Sequence, residues 1–440
     1  MRLIPGIVCF AFLFVLQPDV GAETCTQSCH NDMQAIPHPH QPVLDGDCLS
    51  CHARLRQEHP IAGGKSFALA LKGAELCEQC HEAKGQGKSV HAPVAEGDCL
   101  GCHRPHGAAN PFLLDVGANL SELCFSCHEP FAGAFIHGPV AVGACIQCHS
   151  PHASGREKLL KDSAHQVCLG CHDEFAENLS GAKFLHPPVK NGACTDCHDP
   201  HASAQLFYLK EKMPDLCLGC HTEVRNRLAK SKFRHTPVEQ EGSCGNCHST
   251  HYSEVPGLLA GAEKDVCFRC HGSDSVSSMK NIQKEIEEKE NLHGPINEGK
   301  CSPCHDPHGS DFNRLLTRSY PAGLYASYAQ GKYDLCLQCH EENLLRFEDT
   351  TLYTAFRNGK RNLHFVHVAD KRKGRTCRAC HETHASNDQH LISKEGMPFG
   401  NWKIPVGFLK TATGGSCAPG CHRPLAYDRT EPVTYPVRNQ

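Results

Sequence analysis

Cys124-Phe-Ser-Cys127-His128, then His137-Gly-Pro139-Val140, then Cys145-Ile-Gln-Cys148-His149-Ser-Pro151-His152: the reading of this stretch decides the fold. It contains two Cys-x-x-Cys-His sequences and two further histidines. Cys-x-x-Cys-His is the attachment signature of a c-type haem, in which both thiols bond the porphyrin and the adjacent imidazole ligates the iron. On one helical turn, positions i and i+3 share a face about 5 to 6 Å apart, so one ring edge takes both sulfurs while the next residue turns over the iron. The two spare histidines offer a sixth ligand for each of two haems. The stretch reads as a two-haem cassette.

Working outward, thirteen sites have this form: Cys48-Cys51-His52, Cys77-Cys80-His81, Cys99-Cys102-His103, Cys124-Cys127-His128, Cys145-Cys148-His149, Cys168-Cys171-His172, Cys194-Cys197-His198, Cys217-Cys220-His221, Cys244-Cys247-His248, Cys267-Cys270-His271, Cys301-Cys304-His305, Cys336-Cys339-His340 and Cys377-Cys380-His381. Two more carry an extra residue, Cys25-Cys29-His30 at the start of the array and Cys417-Cys421-His422 at its end. An i, i+4 pair also shares a helical face, so a second thioether stays within reach. Pro419 and Gly420 make a helical turn less natural at the last site. Fifteen haems are expected, with thirteen as the minimum.

Cassettes begin at Cys25, Cys77, Cys124, Cys168, Cys217, Cys267 and Cys336, in steps mostly between 44 and 52 residues, and Cys417 is half a cassette. Between the two sites of a cassette a histidine recurs before Pro-Val or Pro-Ile: His40, His91, His137, His186, His235 and His293. Proline two positions on biases this segment towards extended backbone, from which the imidazole can project. After the second site comes another histidine, at His106, His152, His201, His251, His308 and His384. Only three residues separate it from the attachment histidine, too few to straddle one ring plane, so it is expected to serve a neighbouring haem. His59 substitutes after the second site of the first cassette, and His367 where the Pro-Val pattern lapses.

Of 33 histidines, 15 belong to attachment sites, which leaves 18 for 15 sixth positions. His38, His165, His364 and His390 remain after these assignments. His390 is the choice for the haem at Cys417, and His38 and His165 are read as surface residues.

Composition supports this reading. Aromatics are only 7%, there is one Trp, and 28 Pro and 38 Gly accompany 31 Cys. Such a chain is poor in core-forming side chains, so haem must fill the interior. A net charge of -4 gives neither a basic stripe for nucleic acid nor an acidic tail. Arg2, the apolar run Leu3 to Leu16 and the small residues before Glu23 read as a secretory signal peptide over residues 1–22. That run is shorter than the roughly 20 apolar residues of a spanning helix. Cys9 would leave with it, and no second apolar span follows. Export also suits disulfides, but disulfides have no use for a histidine after every second cysteine. Zinc would need closed sets of four ligands, whereas here one five-residue unit repeats.

Low secondary structure is expected, with a turn or two of helix at each site and little sheet. Residues 23–310 form the tandem cassettes, haems 1 to 12, and 311–440 a C-terminal region with long inserts, haems 13 to 15. Ser277 to Asn291 reads as a charged, solvated helix. Tyr320, Tyr325, Tyr328 and Tyr333 in one insert, and Phe399, Trp402 and Phe408 in another, read as packing for the terminal haems, with partner docking as the alternative.

From Cys48 to His308 the pattern resembles the multihaem c-type cytochromes with doubled Cys-x-x-Cys-His motifs. It is similar to the pentahaem donors of periplasmic nitrite reductase and the decahaem conduits threaded into outer-membrane porins. The resemblance implies an extended, stacked array of bis-histidine haems in a periplasmic or outer-membrane setting, or an extracellular one. It implies electron transfer in anaerobic or extracellular respiration, with redox partners such as a porin or another multihaem cytochrome. This chain departs in its number of sites, its two extended motifs and its inserts. An electron conduit is the leading reading. The alternatives are a reductase of nitrogen or sulfur compounds, which would need an iron with an open position, and a subunit of an extracellular filament.

Overall fold

The computed structural model describes residues 25–114, 116, 119–240, 242–274 and 280–436. The expected signal segment lies outside them. Contacts divide the chain into two units, Met1–Ala176 with Asn191–Lys210, and Glu177–Lys190 with Glu211–Gln440. The boundary expected at 310 falls inside the second unit.

Among the described residues no helix exceeds nine residues and no strand exceeds four. The layout is one of tandem cassettes with short helices and little sheet, as expected. First sites of cassettes end one-turn helices such as Ala74–Cys77, Asp215–Leu218 and Asp334–Leu337. Second sites adopt tighter turns such as Cys99–Gly101 and Cys145–Gln147. In both kinds the histidine N–H donates to the first cysteine's carbonyl, at 3.0 Å for His81 to Cys77 and 3.1 Å for His149 to Cys145.

Six antiparallel ribbons of two residues per strand organise the array. His38–Pro39 pairs with Gly107–Ala108, Ser89–Val90 with Ala153–Ser154, and Phe135–Ile136 with Ala202–Ser203. In the second unit Phe184–Leu185 pairs with Tyr252–Ser253, Phe233–Arg234 with Gly309–Ser310, and Asn291–Leu292 with Ala385–Ser386. Each ribbon joins the residues before one spare histidine to those after the spare histidine of the next cassette. The carbonyl of the latter accepts the N–H of the former, as in His91 to His152 at 2.9 Å and His137 to His201 at 3.0 Å.

The histidine before Pro-Val is extended, His91 lying at φ −65°, ψ 135°, but the expected extension stops there. The Pro-Val segment itself is one helical turn, Ala92–Ala95. Proline in the first turn loses no hydrogen bond, because that N–H has no intrahelical partner.

After six of the seven second sites the chain closes a loop of ten residues, bridging His103 to Leu114, His149 to Leu160, His198 to Leu209, His248 to Leu259, His305 to Leu316 and His381 to Ile392. Its apex holds two consecutive left-handed residues, Phe112-Leu113, Lys158-Leu159, Phe207-Tyr208, Gly257-Leu258, Arg314-Leu315 and His390-Leu391, at φ between 54° and 71°. A serine pins five of these loops: the Oγ of Ser203, Ser253, Ser310 and Ser386 donates at 2.5 Å to the carbonyl of Leu209, Leu259, Leu316 and Ile392, and Ser154 donates likewise to Leu160.

Protein side chains make little core. Only eleven apolar side chains are buried among the described residues. One apolar cluster gathers Tyr333, Leu345 and Val368 with Tyr320 and Tyr328 around Cys377.

Candidate haem sites

Thirteen attachment histidines have a second imidazole opposite them. In the first unit the pairs are His30 with His59, His52 with His106, His81 with His40, His103 with His152, His128 with His91, His149 with His201 and His172 with His137. In the second they are His221 with His186, His248 with His308, His271 with His235, His305 with His384, His340 with His293 and His381 with His364. Ring centres lie 5.9 to 6.5 Å apart throughout. A metal bound by two imidazoles sits about 2.0 Å from each nitrogen, and with about 1 Å from nitrogen to ring centre on each side the centres fall about 6 Å apart.

The partners are exchanged between cassettes. The histidine before Pro-Val faces the first site of the following cassette, and the histidine after the second site faces the second site of the preceding one. His198 and His251 occupy the same register positions in sequence.

Hydrogen bonds fix the tautomers. Nδ1 donates to a carbonyl from His40 to Pro105 at 2.9 Å, from His91 to Pro151 at 3.0 Å, from His137 to Pro200 at 2.9 Å and from His235 to Pro307 at 3.0 Å. At second sites the acceptor is the first left-handed residue of the loop: His103 donates to Phe112 at 2.8 Å, His149 to Lys158 at 2.9 Å, His248 to Gly257 at 2.9 Å and His305 to Arg314 at 2.9 Å. With Nδ1 committed as donor, Nε2 keeps its lone pair for a metal. Burial lowers the imidazole pKa of His106, His152, His305 and His381, and brings His364 down to about 4. The neutral, ligating form is favoured.

His384 is held differently. Its Nδ1 lies 3.5 Å from a Glu285 oxygen, which Lys280 also approaches at 2.8 Å. Burial alone would raise the Glu285 carboxyl, but His384 and Lys280 hold it at about 2. The helix here is Ile282–Glu287, capped by Asn281. The expected solvated helix is thus shorter and sends a buried side chain to a site histidine, while its start at Ser277 lies outside the described residues.

None of the thirty described cysteines is in a disulfide. Within a cassette the first cysteines of the two sites meet, Cys77 with Cys99, Cys124 with Cys145, Cys168 with Cys194, Cys217 with Cys244, Cys267 with Cys301 and Cys336 with Cys377. Between cassettes Cys51 lies within electrostatic range of Cys77, Cys102 of Cys127, Cys148 of Cys171, Cys247 of Cys267, Cys304 of Cys339 and Cys380 of Cys417. Successive sites are therefore neighbours along each unit.

The two extended sites differ. Cys25–Cys29 forms a widened helical turn in which the His30 N–H still reaches the Cys25 carbonyl, at 2.8 Å. The extra residue is absorbed as a bulge, which such turns accommodate. Cys417 instead ends the strand Gly414–Cys417, the middle strand of a sheet with Phe408–Lys410 and Leu425–Asp428.

The structure redistributes the last histidines. His364 and His367 lie on one helix, Leu363–Val368, capped by Asn362. His364 faces His381, and the half-buried His367 lies within electrostatic range of His422. His390 occupies the loop apex: its carbonyl accepts the His381 Nδ1–H at 2.9 Å, and its own Nε2 lies 3.4 Å from Lys410 Nζ. Its counterparts in other loops are Phe112, Lys158, Phe207, Gly257 and Arg314, so its side chain follows no rule and its backbone does. The loops align by the aliphatic residue that closes each of them, Leu114, Leu160, Leu209, Leu259, Leu316 and Ile392. His38 is exposed, and His165 lies against Gly192 near Cys194.

No set of three or more His, Cys, Asp or Glu converges on a metal position among the described residues. Two opposed histidines suit a metal whose four other positions come from elsewhere, as a porphyrin supplies them. Opposed neutral imidazoles beside paired thiols, repeated in tandem, make this a multihaem c-type cytochrome. The chain belongs to the family described as doubled CXXCH motif, which matches residues 40–86, 91–133, 137–177, 186–226, 235–276 and 293–344, together more than half of the chain. Those six pairs account for about twelve c-type haems. The chain is 33% identical over 153 residues to the multiheme cytochrome MtrA of Shewanella baltica (strain OS185), a match covering 33% of this chain and 44% of that protein. It thus spans under half the length of the curated relative it matches.

Proposed function

We propose that the protein is an exported electron conduit holding fifteen bis-histidine haems, in the periplasm or at the outer membrane, and serving anaerobic or extracellular respiration between redox proteins. When bound, the haems supply one-electron chemistry; the chain supplies attachment, spacing and axial ligands. The carrying observation is the recurrence of one opposed imidazole pair at thirteen attachment histidines, since iron ligated on both sides offers no position to a substrate. His251 keeps its place among the proposed sixth ligands, and His367 is the sixth ligand proposed for the haem at His422. Among the described residues no helix is long and apolar enough to cross a membrane.

The test is spectroscopic and kinetic together. Electron paramagnetic resonance of the oxidised protein should show low-spin iron at every haem, with negligible turnover of nitrite, hydroxylamine or tetrathionate by an artificial donor. A high-spin haem accompanied by substantial turnover would replace the conduit with a reductase, whose site would be the distinctive hairpin at Cys417 and His422.

A further inference from the structure

The C-terminal inserts divide into two roles. Tyr320, Tyr328 and Tyr333 pack inward around Cys377. Tyr325, Phe399 and Trp402 do not: they are 44%, 42% and 58% exposed, yet they touch one another edge to face, with centres 6.2 Å apart from Tyr325 to Phe399 and from Phe399 to Trp402. The Arg375 guanidinium lies over the Tyr325 ring at 6.0 Å.

A cationic turn adjoins these rings. Lys371, Arg372 and Lys373 are exposed, and the turn is clamped to the segment bearing Tyr325 by bonds from the Ala326 N–H to Gly374 at 2.7 Å and from the Thr376 N–H to Leu324 at 3.0 Å. Gly374 has no room for a side chain, since an added carbon would meet Val368 and Asp370 carbonyls and the Ser327 backbone. Acids nearby are engaged. Asp370 accepts the amides of Arg372 and Lys373, and Glu395 pairs with Lys403. A protein of net charge -4 thus presents a local excess of positive charge beside clustered aromatic surface. Arg375 stands two residues before Cys377.

We infer that this face docks an acidic redox protein, which exchanges electrons at the Cys377 to His381 site. Aromatic and arginine side chains make the apolar anchor of an interface. The cations steer an oppositely charged partner and set its orientation. Charge complementarity selects an acidic partner, and the adjacent attachment site selects a redox one. The inference rests on the conduit reading.

The experiment uses the haem-loaded full chain with an acidic flavodoxin as the probe reductant and dithionite, which needs no docking, as the control. One variant combines Lys371→Glu, Arg372→Glu and Lys373→Glu, and the other combines Phe399→Ala and Trp402→Ala. Stopped-flow reduction by flavodoxin should slow at least tenfold in the charge variant and severalfold in the aromatic one. The wild-type rate should fall with salt, and dithionite rates should stay within twofold. Unchanged flavodoxin rates in the charge variant overturn the inference, even if the aromatic variant fails to fold. Charge-dependent sedimentation with phosphatidylglycerol vesicles together with unchanged flavodoxin rates would overturn it in favour of a lipid surface. Wild-type protein that dithionite cannot reduce would remove the conduit reading itself.

Discussion

The backbone N–H of His40 donates to the carbonyl of His106 at 3.1 Å, yet the two imidazoles face different attachment sites, His81 and His52. One hydrogen bond therefore fixes the position of two proposed ligands that belong to successive cassettes. Ligand placement is a property of the ribbon, and it stiffens both sites at once.

Replacement of the C-terminal histidines separates the proposed ligands from the backbone position. His364→Ala and His367→Ala should each convert one low-spin haem to high-spin. His390→Ala should convert none, because the atom it contributes is a carbonyl. Electron paramagnetic resonance reads all three, and a high-spin signal in the His390 variant would restore that residue as a ligand.

Intact mass of the purified mature protein should correspond to fifteen haems on a chain beginning near Glu23. The widened turn at Cys25–Cys29 keeps the bond from histidine to first cysteine, so its haem should be present. A mass fitting thirteen would remove both extended sites, and one fitting fourteen would point to the hairpin site at Cys417.

Protein made without haem maturation should show no cooperative unfolding. The apolar cluster around Tyr333 and Leu345 is too small to hold the chain, and ligand binding here supplies the folding free energy, as in metal-dependent domains. Circular dichroism melts and limited proteolysis check this, and a protease-resistant apo form would contradict it.

The left-handed loop apex gives a stability prediction. An L-residue in this region costs roughly 1 to 2 kcal/mol, which glycine avoids. Lys158→Gly should stabilise the loaded protein by about 0.5 to 1 kcal/mol. Gly257→Val, with open space around the added side chain, should destabilise by about 1 to 2 kcal/mol through backbone strain alone. Guanidinium unfolding of the loaded variants measures both.

Attachment residues and cassette period were legible because covalent chemistry dictates Cys-x-x-Cys-His locally. The extended backbone at His91 belongs to its place as the N-cap of the turn Ala92–Ala95, which the expectation of an extended Pro-Val segment did not include. The exchange of histidines was only half legible. That His106 could not serve the ring at His103 followed from a spacing of three residues, but its true partner depends on a ribbon closing across the chain from residue 38 to 108. The proposed ligand His364 was not legible because it sits with His367 on a helix with no Pro-Val signature, and the backbone position of His390 was not legible because counting histidines ignores which atom a position contributes.

The exchange also governs how the array can be shortened. Cutting the chain between two cassettes strands one iron on each side without its second imidazole. Excising one whole period, residues 124–167, instead brings His91 opposite His172 and His201 opposite His103. Such a chain should fold with two fewer haems by mass and no new high-spin iron. The array is then a molecule whose length is counted in whole units, with special pieces needed only where the counting stops: His59 at one end and the helix bearing His364 and His367 at the other.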